Sequence, residues 1–329
     1  VPEASAEQKG NVVARALLTG AAGFIGSNLT DRLLASGWRV RGVDRFTAYY
    51  EEAQKRANLA SATADGEFEL IEADLLSAEL GPLLDDVDVV FHQAAQPGVR
   101  LSWADGFRLY NDLNVNVTQR LLEACRRHEV KRFVYASSSS VYGQAPAWPT
   151  TEATETRPHS PYGVTKLAAE HLCRAYAANF GVPTVSLRYF TVYGPRQRPD
   201  MATHRLIQAA RTGSGFPLYG DGQQIRDFTF VGDVVAANVL AATRDVSPGS
   251  VMNIAGGGST KLLDLVELVG RCVGRDVPID WQPAQPGDVE RTGGSIELAS
   301  EFLGWRPEVG IEEGVARQVA WHLEALPGG

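Results

Sequence analysis

The chain has 329 residues and 44% hydrophobic content, enough for one large core and a smaller one, so one or two domains are expected. Its formal charge of −8, with no basic stripe interleaved with aromatics, argues against nucleic acid as a partner. No apolar run approaches ~18 residues, so no membrane-spanning helix is expected.

Residues 1–11 are polar and aperiodic and read as a loose tail, with no charged segment leading into an apolar signal region. Cys125, Cys173 and Cys272 fall in helical patterns without a Cys-x-x-Cys spacing. They read as small buried hydrophobes in a reducing, cytoplasmic setting. From residue 12 the chain opens a strand, glycine loop, helix, strand and acid. Val12–Leu18 is a short apolar run, and Thr19-Gly20-Ala21-Ala22-Gly23-Phe24-Ile25-Gly26 follows. A helical pattern then runs to Ser36, Gly37 stops it, and Arg39–Val43 ends at Asp44. This is a βαβ unit that binds a dinucleotide. Gly20 permits the turn and Gly23 lets backbone approach the pyrophosphate, which sits on the helix N-terminus beside Phe24 and Ile25. Gly26 lets the helix lie on the strand. Asp44 is placed to accept from the adenosine ribose and to repel a 2′-phosphate, which favours NAD; Arg45 beside it would attract such a phosphate, so NADP stays open.

Strands are expected at Phe68–Ile71, Asp88–His92, Arg132–Ala136 and Val182–Arg188, with helices at Phe107–His128 and from Pro161 to Phe180. Short strands alternating with helices predict an α/β fold, a Rossmann-like doubly wound parallel sheet, with ligands beyond the strand C-termini. Asp74 and Leu75, then Gln93, Ala94, Ala95 and Gln96, then Ser137–Ser140 and Tyr189–Val192 occupy that edge. His92 ends a buried strand and reads as structural. No His, Cys, Asp or Glu cluster has metal-ligand spacing, so no metal is expected.

After Thr191, Gly, Pro and Arg become frequent. A helix at Met201–Arg211, strands at Arg226–Phe230, Ser250–Ile254 and Val277–Trp281, and helices at Val231–Thr243, Leu262–Val273 and Glu313–Leu323 follow. The expected organisation is a dinucleotide-binding domain over 12–190, with 226–245 returning to it. Residues 191–225 and 246–329 form mainly a smaller substrate-binding α/β domain, and the cleft between the two is where a small ligand would bind.

The chemistry centres on Ser160-Pro161-Tyr162-Gly163-Val164-Thr165-Lys166. Ser160 suits an N-cap and Pro161 the first helical position. Tyr162 and Lys166, four apart, share one helix face. A phenol titrates near ~10, and an ammonium nearby is expected to lower it, making a base for a sugar hydroxyl.

Thr19–Gly26, His92–Ala95, Tyr135–Gly143, Tyr162 to Lys166, Leu187–Pro195 and Arg226–Asp233 together resemble the extended short-chain dehydrogenase/reductase family, specifically its nucleotide-sugar epimerases. The resemblance implies tightly held NAD, a UDP-sugar substrate, transient oxidation at sugar C4, and a homodimer through the helices at Phe107–His128 and Tyr162–Phe180. It implies that Asn114 lies near the cofactor, that Lys166 also binds the nicotinamide ribose, and that Tyr189 lines the cofactor site. It makes Ser138 the third catalytic residue beside Tyr162 and Lys166, its hydroxyl set to bond O4. Nucleotide-sugar 4,6-dehydratases carry Asp-Glu at the positions of Ser139 and Ser140, and UDP-glucuronate decarboxylases carry Glu at Ser140; this chain has neither acid.

Gln96-Pro97-Gly98-Val99-Arg100 and Thr191 through Met201 resemble UDP-glucuronate 4-epimerases. That resemblance implies a C6 carboxylate met by Ser139, Ser140 and Thr191 hydroxyls and by Arg100 and Arg198, with Arg196 as the alternative to Arg198. Pro97 and Gly98 would lie against the sugar. Arg226 would bind the diphosphate and Asp288 the uridine ribose. A neutral-sugar 4-epimerase, on UDP-glucose or UDP-N-acetylglucosamine, is the first alternative. A UDP-glucuronate decarboxylase or a non-catalytic NAD-sensing protein on the same fold comes after it.

Overall fold

The computed structural model describes residues 14–284 and 289–325. The expected tail and Asp288 lie outside them. The chain begins β1 (Arg15–Thr19), α1 (Phe24–Ala35), β2 (Arg39–Asp44), α2 (Glu52–Asn58), α3 (Ala60–Thr63), β3 (Phe68–Glu72), α4 (Gly81–Leu84) and β4 (Val89–His92). It continues α5 (Gly106–Tyr110), α6 (Val117–Cys125), β5 (Arg132–Ser138), α7 (Pro161–Phe180) and β6 (Thr184–Tyr189). The remainder is β7 (Thr191–Tyr193), α8 (Ala202–Thr212), β8 (Phe216–Tyr219), β9 (Ile225–Arg226), β10 (Phe228–Phe230), α9 (Val231–Thr243), β11 (Ser250–Ile254), β12 (Thr260–Lys261), α10 (Leu262–Val273), β13 (Ile279–Gln282), α11 (Glu297–Leu303) and α12 (Ile311–Ala325).

Seven strands form one sheet in the order β3-β2-β1-β4-β5-β6-β11, with every pairing parallel. Leu18, Phe91, Val134 and Leu187 pack into one core, and Leu17, Val90, Phe133 and Tyr135 into a second. Successive residues of each strand feed opposite faces, so the sheet is covered on both sides, and this is why its central strands read as continuous apolar runs. The strand order reverses between β1 and β4, which places the ligand crevice at their C-terminal ends. There α9 packs against α1, while α8, α10 and α12 pack together beside the β8–β13 pair.

Three local readings differ from the sequence expectation. Ser250–Ile254, read as part of the smaller region, pairs with β6 at the edge of the main sheet. The segment 226–230 is two short strands, β9 and β10, broken at Asp227. That carboxylate is buried, accepts from Gly256 N at 2.6 Å and Gly294 N at 3.4 Å, and is pushed up by burial to about 6. The helix expected over 107–128 is interrupted by a π-helical segment, Asn111–Asn116. An i→i+5 turn leaves no mark on the apolar spacing, and such turns occur often at functional sites.

Candidate active site

The turn from β1 into α1 has no room for a Cβ at Gly20 or Gly26. Gly20 is left-handed at φ 71°, and a Cβ on it would meet Ala94 N at 2.8 Å; a Cβ on Gly26 would lie 2.0 Å from the Gly20 carbonyl oxygen. Helix α1 starts at Gly23 with no capping side chain and no acid in its first turn. Its first N–H groups and its dipole therefore face the crevice and favour an anion there. Asp44 accepts from Ala22 N at 3.2 Å and Phe46 N at 2.8 Å, which leaves carboxylate lone pairs for ribose hydroxyls. Arg45 is turned onto Asp74 at 2.7 Å, so its charge is already partnered. These residues fit a dinucleotide without a 2′-phosphate.

The crevice encloses about 1200 Å³, its open mouth included. Every residue expected to touch the cofactor lines it except Asn114, which sits behind it. Of the residues expected to touch the sugar, Pro97, Tyr162 and Arg198 line it. Gly98, Arg100, Ser138, Ser139, Ser140, Thr191 and Arg226 do not. Thr47, Tyr49, Tyr50 and Lys55 also line it and were not singled out from sequence. Their one signal was position: they follow β2, at the ligand edge of the sheet.

The N-terminus of α7 is built as expected. The Ser160 hydroxyl accepts from Gly163 N at 3.1 Å, and Pro161 takes the first turn. Tyr162 is half-buried, with one surface on the crevice. Its ring meets that of Tyr110 edge-on at 6.1 Å, and the nearby Ser138 hydroxyl favours its phenolate. Lys166 is 3% exposed, with Nζ 4.9 Å from the centre of the Tyr135 ring.

The electrostatics differ from the sequence expectation. Burial raises the Tyr162 phenol above its usual value, and the groups opposing it are the Ser138 hydroxyl and the Arg198 charge, rather than Lys166. Lys166 is itself pushed down by burial to about 7. An i,i+4 spacing puts the two side chains on one face but says nothing of the desolvation each suffers there. Asn114, 1% exposed in the π-helical segment, accepts from Gln96 N at 2.7 Å and donates to Gln96 O at 3.1 Å and to Thr165 Oγ1 at 3.0 Å. It ties the loop after β4 to α7 one turn from Tyr162.

Between the two candidate arginines the geometry discriminates. Arg196 pairs with Asp31 on α1 at 2.7 Å, away from the crevice lining. Arg198 lines the crevice and grips Asp200 through Nε at 3.0 Å and Nη2 at 3.1 Å. Burial would raise Asp200, but the Arg198 guanidinium holds it below the usual range. Tyr49 donates to Asp200 at 3.2 Å, and its own phenol is pushed up to about 12 by burial and by that carboxylate. Arg100 stacks over the Tyr219 ring at 4.4 Å. Ser139 and Ser140 form a 3-10 turn in which Ser140 N donates to Ser138 Oγ at 3.1 Å. Thr191 N donates to Asp227 O at 3.1 Å, and Arg226 Nη1 donates to Ile225 O at 3.0 Å.

His92 is buried between Thr19 Oγ1 at 2.7 Å and Thr118 Oγ1 at 3.0 Å, and burial pushes it down to about 3. It is a neutral bracket between β1 and α6. Ser137, at the ligand edge of the sheet, is 2% exposed and donates to Glu170 Oε2 at 2.7 Å.

The model of the NAD dependent epimerase/dehydratase family matches residues 16–255. An uncharacterized UDP-glucose epimerase YtcB of Bacillus subtilis (strain 168) is 42% identical, over 93% of this chain and 96% of the relative. A probable UDP-glucuronate 4-epimerase of Rhizobium meliloti (strain 1021) is 36% identical, over 94% and 96%. Among solved structures, the UDP-glucuronic acid 4-epimerase of Bacillus cereus in complex with UDP-glucuronic acid and NAD superimposes with a TM-score of 0.92 at 40% identity, over 94% of this chain and 99% of that one.

Proposed function

The chain belongs to the NAD dependent epimerase/dehydratase family, and we propose that it inverts C4 of UDP-glucuronate to give UDP-galacturonate. The observation that carries this reading is one crevice holding Tyr162, Lys166 and Arg198 beside an uncapped helix N-terminus, with serines at 139 and 140. When bound, NAD accepts a hydride from C4 and returns it. Tyr162 takes the O4 proton as the carbonyl forms and gives it back when the carbonyl is reduced. Ser138, beside Tyr162, holds O4 and the proton path. Lys166 places its amine beside the nicotinamide ribose. The 4-keto sugar turns about its bond to the diphosphate and presents its other face. Dehydration would need an acid where Ser139 and Ser140 stand.

A 4-keto uronate is a β-keto acid, so its carboxylate must be held with the C–C bond out of line with the carbonyl π-system. The Ser139, Ser140 and Thr191 hydroxyls and Arg198 take that role in this reading. With UDP-glucuronate the expected main product is UDP-galacturonate, identified by chromatography and proton NMR. A UDP-pentose as main product would reverse the assignment.

One observation favours a neutral hexose. Arg198 is already paired with Asp200, which lowers its demand for a substrate carboxylate. Competing UDP-glucuronate against UDP-glucose at equal concentration separates the readings. Arg198→Ala is expected to lower kcat/KM for UDP-glucuronate by roughly 10–100-fold relative to UDP-glucose, the range of one charge-assisted hydrogen bond. It also removes a charge that favours the Tyr162 phenolate. The limb of the pH profile that reports Tyr162 should therefore move to higher pH with either substrate. An unchanged substrate ratio would take the carboxylate role away from Arg198.

The same reading places the enzyme in the cytoplasm as a homodimer. Three free cysteines support the first, and the exposed Phe107 and Leu109 on α5 with Val164 and Phe180 on α7 support the second. Among the described residues no helix is long and apolar enough to cross a membrane. Uridine ribose contact by Asp288 and diphosphate contact by Arg226 belong to this proposal as well.

A further inference from the structure

Glu170 lies one turn beyond Lys166 and two beyond Tyr162, on the same face of α7. It is 0% exposed and accepts from Arg188 Nη2 at 2.6 Å, Arg188 Nε at 2.9 Å and Ser137 Oγ at 2.7 Å. Arg188 Nη1 donates to the Tyr142 hydroxyl at 2.7 Å, which donates to Asn253 Oδ1 at 2.7 Å. Asn253 Nδ2 in turn donates to Thr150 O at 3.0 Å. One buried network thus joins α7 to β5, β6, β11 and the turn after β5. The proton path through Tyr162 uses none of these atoms. For stability alone, apolar side chains of similar volume serve a core as well as a buried ion pair. What the network does fix is the end of β5. Ser137, held by Glu170, immediately precedes Ser138, and Ser138 meets Tyr162.

We propose that Glu170 is a positioning residue: acting through Ser137, it sets the place of Ser138 beside Tyr162, so that one helix carries both the base and the tether for its hydroxyl neighbour. This rests on the epimerase reading above. Tyr162 is faced by Tyr110 beside the π-helical segment, Ser138 and Tyr135 on β5, Arg198, and Lys166 on its own helix. Glu170 is faced by Arg188 on β6, Ser137 and Tyr135 on β5, and Cys173 on its own helix.

Ser137→Ala cuts the tether and leaves the Glu170–Arg188 pair in place. It is expected to lower kcat about tenfold or more with KM within about twofold, since small misplacements of a reacting group are costly. The pH limb that reports Tyr162 should move upward, because a Ser138 hydroxyl held beside the phenol favours the phenolate. The pair Glu170→Gln with Arg188→Met, which keeps the core neutral, should produce the same two changes. Unaltered kcat and an unaltered pH limb in Ser137→Ala would overturn the proposal, as would a fall in kcat accompanied only by a lower melting temperature. If the wild-type enzyme turns over no UDP-sugar, the function has failed rather than the tether. Ultraviolet titration of the Tyr162 phenol, taken as the difference from Tyr162→Phe, then decides the tether alone: an unmoved phenol in Ser137→Ala overturns it.

Discussion

Tyr162→Phe is expected to lower kcat by roughly 10³–10⁴-fold, the upper part of the range for losing a positioned proton-transfer group. The ring stays: its edge-on contact with Tyr110 and its place on α7 do not depend on the hydroxyl. What is lost is one hydroxyl beside Ser138, and with it at most about 1 kcal/mol of hydrogen bonding to the fold. The melting temperature should therefore move by only a few degrees, and co-purified NAD should stay at the wild-type level, because the glycine turn and Asp44 are untouched. Stopped turnover with unchanged NAD content and fold is the signature of a missing proton carrier. Turnover within about tenfold of wild type would place the base elsewhere, since no single relocated water recovers the rest. At high pH the gap should be widest. Burial keeps the phenol above its usual value, so the wild-type rate climbs as Tyr162 ionises, whereas the phenylalanine variant has nothing to ionise.

Much of this site could be read from residue order because local geometry dictates it. A backbone with Gly20 at φ 71° and no space at Gly26 admits only glycine, so the turn announces itself. A parallel sheet puts every strand's C-terminal end on one edge, so the positions of Gln93–Gln96 and Tyr189 in the crevice follow from alternation alone. The Ser160–Pro161 start of α7 follows in the same local way. Contacts across long separations left no such mark. Tyr49 and Asp200 are 151 residues apart, and only Asp200 stands in a motif. Glu170 and Arg188 stand on a helix and a strand 18 residues apart, with no spacing that announces their buried pairing. The shift of Tyr162 was misassigned to Lys166 for a related reason. Spacing reports direction, whereas the sign of a pKa shift depends on how much water the fold removes.

The glycine turn also makes a sharp prediction because its obstacle is backbone. A methyl group at position 26 would sit 2.0 Å from the Gly20 carbonyl oxygen and 2.9 Å from its carbon. Gly20 cannot retreat: its N–H is bonded to Val43 O at 2.7 Å, and Ala94 N stands 2.8 Å from where its own Cβ would be. Nor can α1 lift without uncovering Leu29 and Leu33, both 0% exposed. Overpacking of this kind costs about 1–3 kcal/mol or more. In Gly26→Ala the strain falls on the first turn of α1, whose N–H groups would hold the pyrophosphate. NAD affinity is expected to drop at least about 100-fold, about 2.7 kcal/mol, and the melting temperature to fall with it. Gly66→Ala is the control, because nothing lies within 4 Å of a Cβ there. That variant should stay within about 0.5 kcal/mol of wild type and keep its nucleotide. Absorbance of the released nucleotide and a melting curve read both variants. A Gly26→Ala protein that keeps a full complement of NAD would mean that α1 does not present its N-terminus to the dinucleotide, and the reading of the whole crevice would have to change.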